Sequence, residues 1–184
     1  MTKKVAMVLG IGMAVAAGAG VLSLRAADAP AASDVQKLAD QVGRKDWAEL
    51  SREGQKIAKR LDEQQKELLD VMTVFKPPKT GEEGIEAKIL RLSKRVGKGD
   101  LEKTADLKRM AEISAAVAGI AVHMPNDDAK KTKEATRKWQ DYAKDMHDAS
   151  KGFIKSLDGK DPAQIKAAAL KLRDACAACH NDFR

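Results

Sequence analysis

Residues 161–184 read DPAQIKAAALKLRDACAACHNDFR. Asp161 followed by Pro162 is typical of a helix start, because aspartate caps free backbone N–H groups and proline fits the first helical position. From there, apolar and small residues recur every three or four positions, as on one face of a helix: Ile165, Ala168, Ala169, Leu172, Ala175, Cys176 and Cys179. The segment therefore predicts a long amphipathic helix with both cysteines on its buried face.

The same segment contains a Cys-x-x-Cys-His run, Cys176 to His180, which is typical of c-type haem attachment. At this spacing each thiol can form a thioether with one haem vinyl group, and the adjoining imidazole reaches the iron. Cys176 and Cys179 are the only cysteines in the chain, so no disulfide framework competes for them. We expect one covalently bound haem c with His180 as the proximal iron ligand.

Three other roles for the cysteine pair fit the sequence less well. A thioredoxin-like redox pair belongs in a βαβ unit, at a helix N-terminus that lowers the thiol pKa. A structural zinc site needs four ligands, of which Cys176, Cys179 and His180 supply three at most. A disulfide between the two cysteines would close a tight, strained ring. Haem attachment is the interpretation that the spacing favours.

The chain before this helix is also predicted to be helical. It is rich in Ala, Lys, Glu, Leu and Gln, and no stretch alternates apolar and polar residues as strands do. Periodicity and turn residues predict helices over residues 33–42, 46–75, 85–96, 101–124 and 127–157. Residues 33–184 are therefore expected to form one all-α domain. Its architecture is an antiparallel four-helix bundle with an extra short helix in the loop after the first long helix.

Residues 1–29 have the features of a signal peptide. Lys3 and Lys4 precede an uncharged run from Val5 to Leu24, and small residues offer a cleavage site between positions 26 and 31. An uncleaved anchor is the alternative, because twenty residues can span a bilayer. The Gly and Ala content makes the run weakly hydrophobic, which favours cleavage. We expect export to the periplasm or an equivalent compartment, with membrane contact only if the segment stays attached.

Charge indicates the class of partner. The net charge is +7, and it becomes about +5 when residues 1–29 are removed. The basic residues are not interleaved with aromatics, so nucleic acid is not an expected partner. Mild positive charge suits acidic redox proteins as partners. A homodimer is a further possibility. We find no Ser-His-Asp set, paired catalytic carboxylates or phosphate loop, and we expect a protein that is not an enzyme.

The chain ends with five residues in a characteristic order: Cys176, Cys179, His180, Phe183 and Arg184. This ending resembles the final helix of class II c-type cytochromes, the cytochrome c-prime family. By motif the resemblance covers residues 153–184, and over the rest it is architectural. It implies an exported four-helix bundle in which the two cysteines hold the haem and the histidine binds its iron. It also implies that the arginine lies beside the proximal ligand and the haem edge.

The distal side of the haem does not follow from the resemblance. Family members usually place a haem-contacting residue early in the first bundle helix, often Met in the six-coordinate members, but residues 33–66 contain no Met, His or Tyr. His123 and Met124 are the remaining candidates for a distal ligand. His147 lies between Asp145 and Asp148 and is predicted to be a solvated surface residue. We expect either an empty distal face or ligation by His123 or Met124, and favour the empty face.

These features predict one-electron transfer by an exported monohaem c-type cytochrome. The alternative is a five-coordinate haem protein that binds small gases such as NO and CO. A third class is a structural or metal-binding helical bundle without redox activity, and haem that stays with the denatured chain distinguishes it from the first two.

Overall fold

The computed structural model of the chain describes residues 30–77 and 81–183, and these residues form helices without strands. The helices are α1 (Pro30–Ala39), α2 (Trp47–Glu63), α3 (Leu68–Met72), a 3-10 helix (Thr73–Phe75), α4 (Ile85–Lys94), α5 (Lys98–Glu102), α6 (Thr104–Ala121), α7 (Asp127–Lys130), α8 (Lys133–Ser156) and α9 (Pro162–Phe183). The predicted all-α helical bundle is confirmed, with α4 as the extra short helix. The predicted signal peptide lies outside the described residues. Within them, no helix has the length and apolar character needed to cross a membrane.

Local side chains set the helix starts. The Asp46 carboxylate accepts a hydrogen bond from Glu49 N at 2.9 Å, and the Glu49 carboxylate accepts one from Asp46 N at 3.3 Å. This reciprocal capping box begins α2, as the sequence predicts. At α8, Thr132 Oγ1 accepts a hydrogen bond from Ala135 N at 3.0 Å. Both caps satisfy backbone N–H groups that lack partners within the helix.

Two predicted helices are interrupted, and the others shift by a few residues. The helix predicted over 46–75 ends at Glu63, and Gln65 then adopts a left-handed conformation with φ of 56°. No glycine or proline marks this break in the sequence. The helix predicted over 127–157 divides where Thr132 caps α8. Elsewhere α1 begins and ends three residues before the predicted 33–42, while α4 and α6 are shorter than predicted.

The central helix is α6, which is buried continuously from residue 113 to residue 120. It packs against α1, α2 and α8. Its contact with α2 is very close at Gly54 and Gly119, since a Cβ atom on Gly54 would lie 1.9 Å from the Gly119 carbonyl oxygen. Small residues at this crossing allow the two helix backbones to approach each other.

The final helix α9 packs against α8 and α4. Helix α2, by contrast, packs mainly against α6. The short helix α4 borders α9 instead. A pattern of apolar residues shows which face of a helix is buried, but it does not show which helix covers that face.

Candidate cofactor-attachment site

The three residues of the predicted motif lie on the last two turns of α9. Cys176, Cys179 and His180 are all half-buried, and Cys176 packs against the hydrophobic core. Spacings of three and four residues place side chains on neighbouring positions of one helix face. The sulfur atoms of both cysteines are free. The arrangement therefore presents two thiols and an imidazole together, directed partly into the bundle.

The surroundings keep both cysteines protonated. Burial raises the pKa of the Cys176 thiol to about 11, and the neighbouring Cys179 and Glu86 contribute in the same direction. Burial also raises the pKa of the Cys179 thiol to about 11, with Asp182 contributing. Thiol–disulfide exchange needs a thiolate, which a lowered pKa would favour. The electrostatics thus oppose the thioredoxin-like alternative and leave neutral thiols on this face.

Polar contacts hold the turn that follows His180. Tyr142 Oη donates a hydrogen bond to Asp182 Oδ2 at 2.6 Å, and Lys138 Nζ lies 2.5 Å from the same oxygen. The hydrogen bonds from Lys138 and Tyr142 lower the pKa of Asp182, so this carboxylate is ionised at neutral pH. The last turn of α9 is therefore tied to the start of α8.

Aromatic packing joins the same turn to the core. The Phe183 ring meets Trp139 edge-on, with ring centroids 5.5 Å apart, and lies 6.2 Å from the Tyr142 ring. Asn126 Nδ2 donates a hydrogen bond to the Phe183 carbonyl oxygen at 2.6 Å. These three rings are half of the six aromatic residues in the chain, so aromatic packing is concentrated beside the motif. Arg184, the last predicted site residue, lies outside the described residues.

His123 contacts α2. Its Nε2 atom lies 2.9 Å from both the carbonyl oxygen and Oγ of Ser51. A carbonyl oxygen can only accept, so Nε2 carries the proton and Nδ1 keeps the lone pair. Burial lowers the pKa of His123, against an opposing effect of the Ser51 hydrogen bond. Only Nδ1 of His123 is therefore left to bind a metal. The neighbouring Met124 is half-buried and packs on the core.

His147 is buried, and its predicted surface location is wrong. The residue is 4% exposed, and the Trp47 ring covers it with ring centroids 5.0 Å apart. Its Nδ1 atom lies 2.9 Å from Asp148 Oδ1, and Nε2 has no hydrogen-bond partner among the described residues. The polar neighbours in sequence suggested exposure. The signal for burial was the spacing of four residues between His147 and the apolar Ala143.

The donor set fits a c-type haem. Two neutral thiols and an adjacent imidazole lie on the inner side of one helix, beside small residues such as Ala168 and Ala175 that pack on the core. A zinc site would need further ligands. Among residues 30–77 and 81–183, no three His, Cys, Asp or Glu side chains are grouped so that they could hold a metal ion.

Comparison of the chain with models of known protein families, with curated proteins and with solved structures gives no match. The functional proposal therefore depends on the motif and on the geometry around it.

Proposed function

We propose that the chain is an exported monohaem c-type cytochrome that transfers single electrons. The observation that carries this proposal is the shared face of Cys176, Cys179 and His180 at the end of the final helix of an all-helical bundle. Both cysteines are free, as addition of sulfur to a vinyl group requires, and they are partly shielded from water.

Each residue of the motif has a separate role. Cys176 and Cys179 would hold the haem through two thioethers, in which each sulfur bonds to one vinyl group and its proton passes to the neighbouring vinyl carbon. His180 binds the iron, and its position next to Cys179 holds the imidazole there at high effective concentration. When bound, the haem supplies an iron that alternates between the ferric and ferrous states. The contacts of Asp182 and Phe183 hold the turn that carries the imidazole.

Gas binding is the alternative function, and the contact of His123 with Ser51 supports an open distal face because it leaves only Nδ1 for a metal. Its Nε2 atom is engaged by Ser51 and is therefore not free to bind iron. Met124 packs on the core, so its presence is explained without a role as an iron ligand. An iron with one open axial position would bind NO or CO.

Absorption spectra of the purified protein, oxidised, reduced and after addition of CO, test the proposal. We expect a c-type spectrum with a high-spin iron that binds CO once reduced. His180→Ala should yield little haem protein or a clearly changed spectrum, whereas His123→Ala and Met124→Ala should leave the spectrum unchanged. A low-spin spectrum that either of these two control variants abolishes would contradict the open distal face.

Export is tested separately by the N-terminal sequence of the mature chain. A first residue between positions 27 and 31 is the predicted result, because the cleavage site lies between positions 26 and 31. A mature chain that begins at Met1 would contradict cleavage.

A further inference from the structure

Positive charge in the described part of the chain is concentrated on two neighbouring helices. Together α4, the following Arg95 and α9 carry seven Lys and Arg residues against three Asp and Glu residues. The rest of the described chain is nearly balanced, with 22 basic residues against 23 acidic ones. Two of the three acidic residues already have partners, since Asp174 pairs with Arg173 and Asp182 with Lys138. The net positive charge therefore lies on α4 and α9, although Arg91 of α4 pairs with Glu83 and Asp100, which lie outside these two helices.

Four of these basic residues are available to a partner. Lys94, Arg95, Lys166 and Lys171 are exposed, and none of them forms an ion pair within the described residues. A partner that bound them would not need to break existing ion pairs.

Two exposed apolar side chains lie on the same helices. Leu90 of α4 is 43% exposed and Leu170 of α9 is 36% exposed, and they are two of the three exposed large apolar residues in the described chain. Protein interfaces commonly combine an apolar centre with a polar rim. The four basic residues supply such a rim.

The topology places the two leucines at similar positions along the axes of α4 and α9. Helix α4 is followed by α5 and then by the start of α6, so α4 ends near the start of α6. Asn126 follows the end of α6 and donates a hydrogen bond to the Phe183 carbonyl oxygen, so α9 ends near the end of α6. The two helices therefore run antiparallel. Glu86 is close enough to Cys176 to raise the pKa of its thiol. Leu90, one turn after Glu86, thus lies near the turn of α9 that contains Leu170.

We propose that this α4/α9 face, defined by Leu90, Leu170 and the basic residues Lys94, Arg95, Lys166 and Lys171, docks an acidic protein that exchanges electrons with the haem. This inference rests on the proposed function. The basic rim attracts and orients the acidic partner, and the leucines exclude water from the contact. Leu170 precedes Cys176 by six residues on α9, so the docked partner lies within about 10 Å, along the helix, of a cysteine that holds the haem.

An acidic protein fits the face better than a membrane or a nucleic acid does. Both leucines are less than half exposed, so they offer little to insert into a lipid layer. Among the described residues of α4 and α9, Phe183 is the only aromatic, and it packs inward against Trp139. Single-stranded nucleic acids typically stack on exposed aromatic rings, which this face lacks.

The test uses the haem-loaded full chain and poly-L-glutamate as the acidic probe at low salt. The face variant carries Lys94→Glu, Arg95→Glu, Lys166→Glu and Lys171→Glu. The matched control variant carries Lys37→Glu, Lys59→Glu, Lys133→Glu and Arg137→Glu, which change the net charge equally at exposed positions without ion pairs on α1, α2 and α8. We expect the face variant to bind at least about tenfold more weakly than the wild type, and the control variant less than about threefold.

A kinetic measurement connects the face to the haem. Oxidation of the reduced protein by ferricyanide, a small anion, should slow by at least about tenfold in the face variant and far less in the control. Equal losses in the two variants, for binding or for oxidation, would overturn the inference. Tighter binding to phosphatidylglycerol vesicles or to single-stranded DNA than to poly-L-glutamate would overturn the choice of a protein partner.

A haem stain of the same samples separates this inference from the function on which it rests. A chain that binds poly-L-glutamate through the α4/α9 face but carries no haem would refute the proposed function and electron exchange, leaving only acidic docking. A chain that carries haem but shows equal losses in both variants would refute the docking face alone.

Discussion

At the scale of single residues, His147 is expected to make the stability of the bundle depend on pH. Its imidazole is buried under Trp47, and its Nε2 atom has no hydrogen-bond partner in the described part of the chain. Burial lowers the pKa of His147, and the contact with Asp148 only partly opposes this effect. The folded protein therefore holds this side chain neutral at a pH where a solvated histidine would take up a proton.

Stability should fall as the pH drops below about 6.5, the usual histidine pKa. Below that pH the unfolded chain binds a proton at His147 that the folded chain resists, so protonation favours unfolding. Urea denaturation at pH 7.5 and pH 5.5 measures the loss, and His147→Gln should reduce the difference between the two. His123→Gln is the comparison. The pKa of His123 is also lowered, but this histidine is less buried than His147, so its substitution should reduce the difference by less. A wild-type pH dependence retained in full by His147→Gln would contradict this account.

At the scale of helices, the crossing of α2 and α6 depends on the absence of a side chain at Gly54. A methyl group there would lie 1.9 Å from the Gly119 carbonyl oxygen, which belongs to the backbone and cannot rotate away. Gly54→Ala should therefore destabilise the fold by at least about 2 kcal/mol, because overpacking forces the two helices apart.

Gly152→Ala is the matched control for this prediction. Gly152 also lies inside a helix, but nothing lies within 4 Å of the position that its Cβ would occupy. This substitution should stabilise the protein by about 0.5 kcal/mol or more, because alanine has the higher helix propensity. Denaturant midpoints of the two variants should move in opposite directions. A Gly54→Ala variant as stable as the wild type would show that the helices do not cross so closely.

Local sequence features were sufficient to predict most of the helices. Asp46 caps α2 as expected, and the periodicity of α9 correctly predicted that Ile165, Ala169 and Leu172 are buried. The break after Glu63 was missed, because Gln65 adopts its left-handed conformation without the glycine or asparagine that usually marks one. Packing of α4 beside α9 depends on contacts between distant segments, which a helical period does not contain.

Only part of the candidate site could be predicted from the sequence. The motif gave Cys176, Cys179 and His180 directly, and helical spacing placed the cysteines on the inner face, where the structure has them half-buried. The contacts that hold the end of α9 involve Tyr142 and Asn126, which are far away in the sequence. No local pattern indicated them.

At the scale of the whole molecule, the proposal predicts a bundle that depends on its cofactor. Aromatic residues make up only 3% of the chain, and seven of the 22 residues in α9 are alanine, so this helix itself contributes little side-chain volume to the core. A bound haem adds apolar surface to the folded state and stabilises it by linkage. Circular dichroism should show lower helicity and a lower Tm for the apoprotein than for the haem-loaded protein. Equal Tm values for the two forms would contradict this.

The central claim is that two thioether bonds hold one haem on α9. A haem stain of the denatured protein after electrophoresis tests it most directly, because only covalently bound haem stays with the unfolded chain. We expect the wild type to stain, Cys176→Ala and Cys179→Ala to stain weakly, and the variant that combines both substitutions not to stain at all. Wild-type protein without stain, or a doubly substituted variant that keeps it, would contradict the claim.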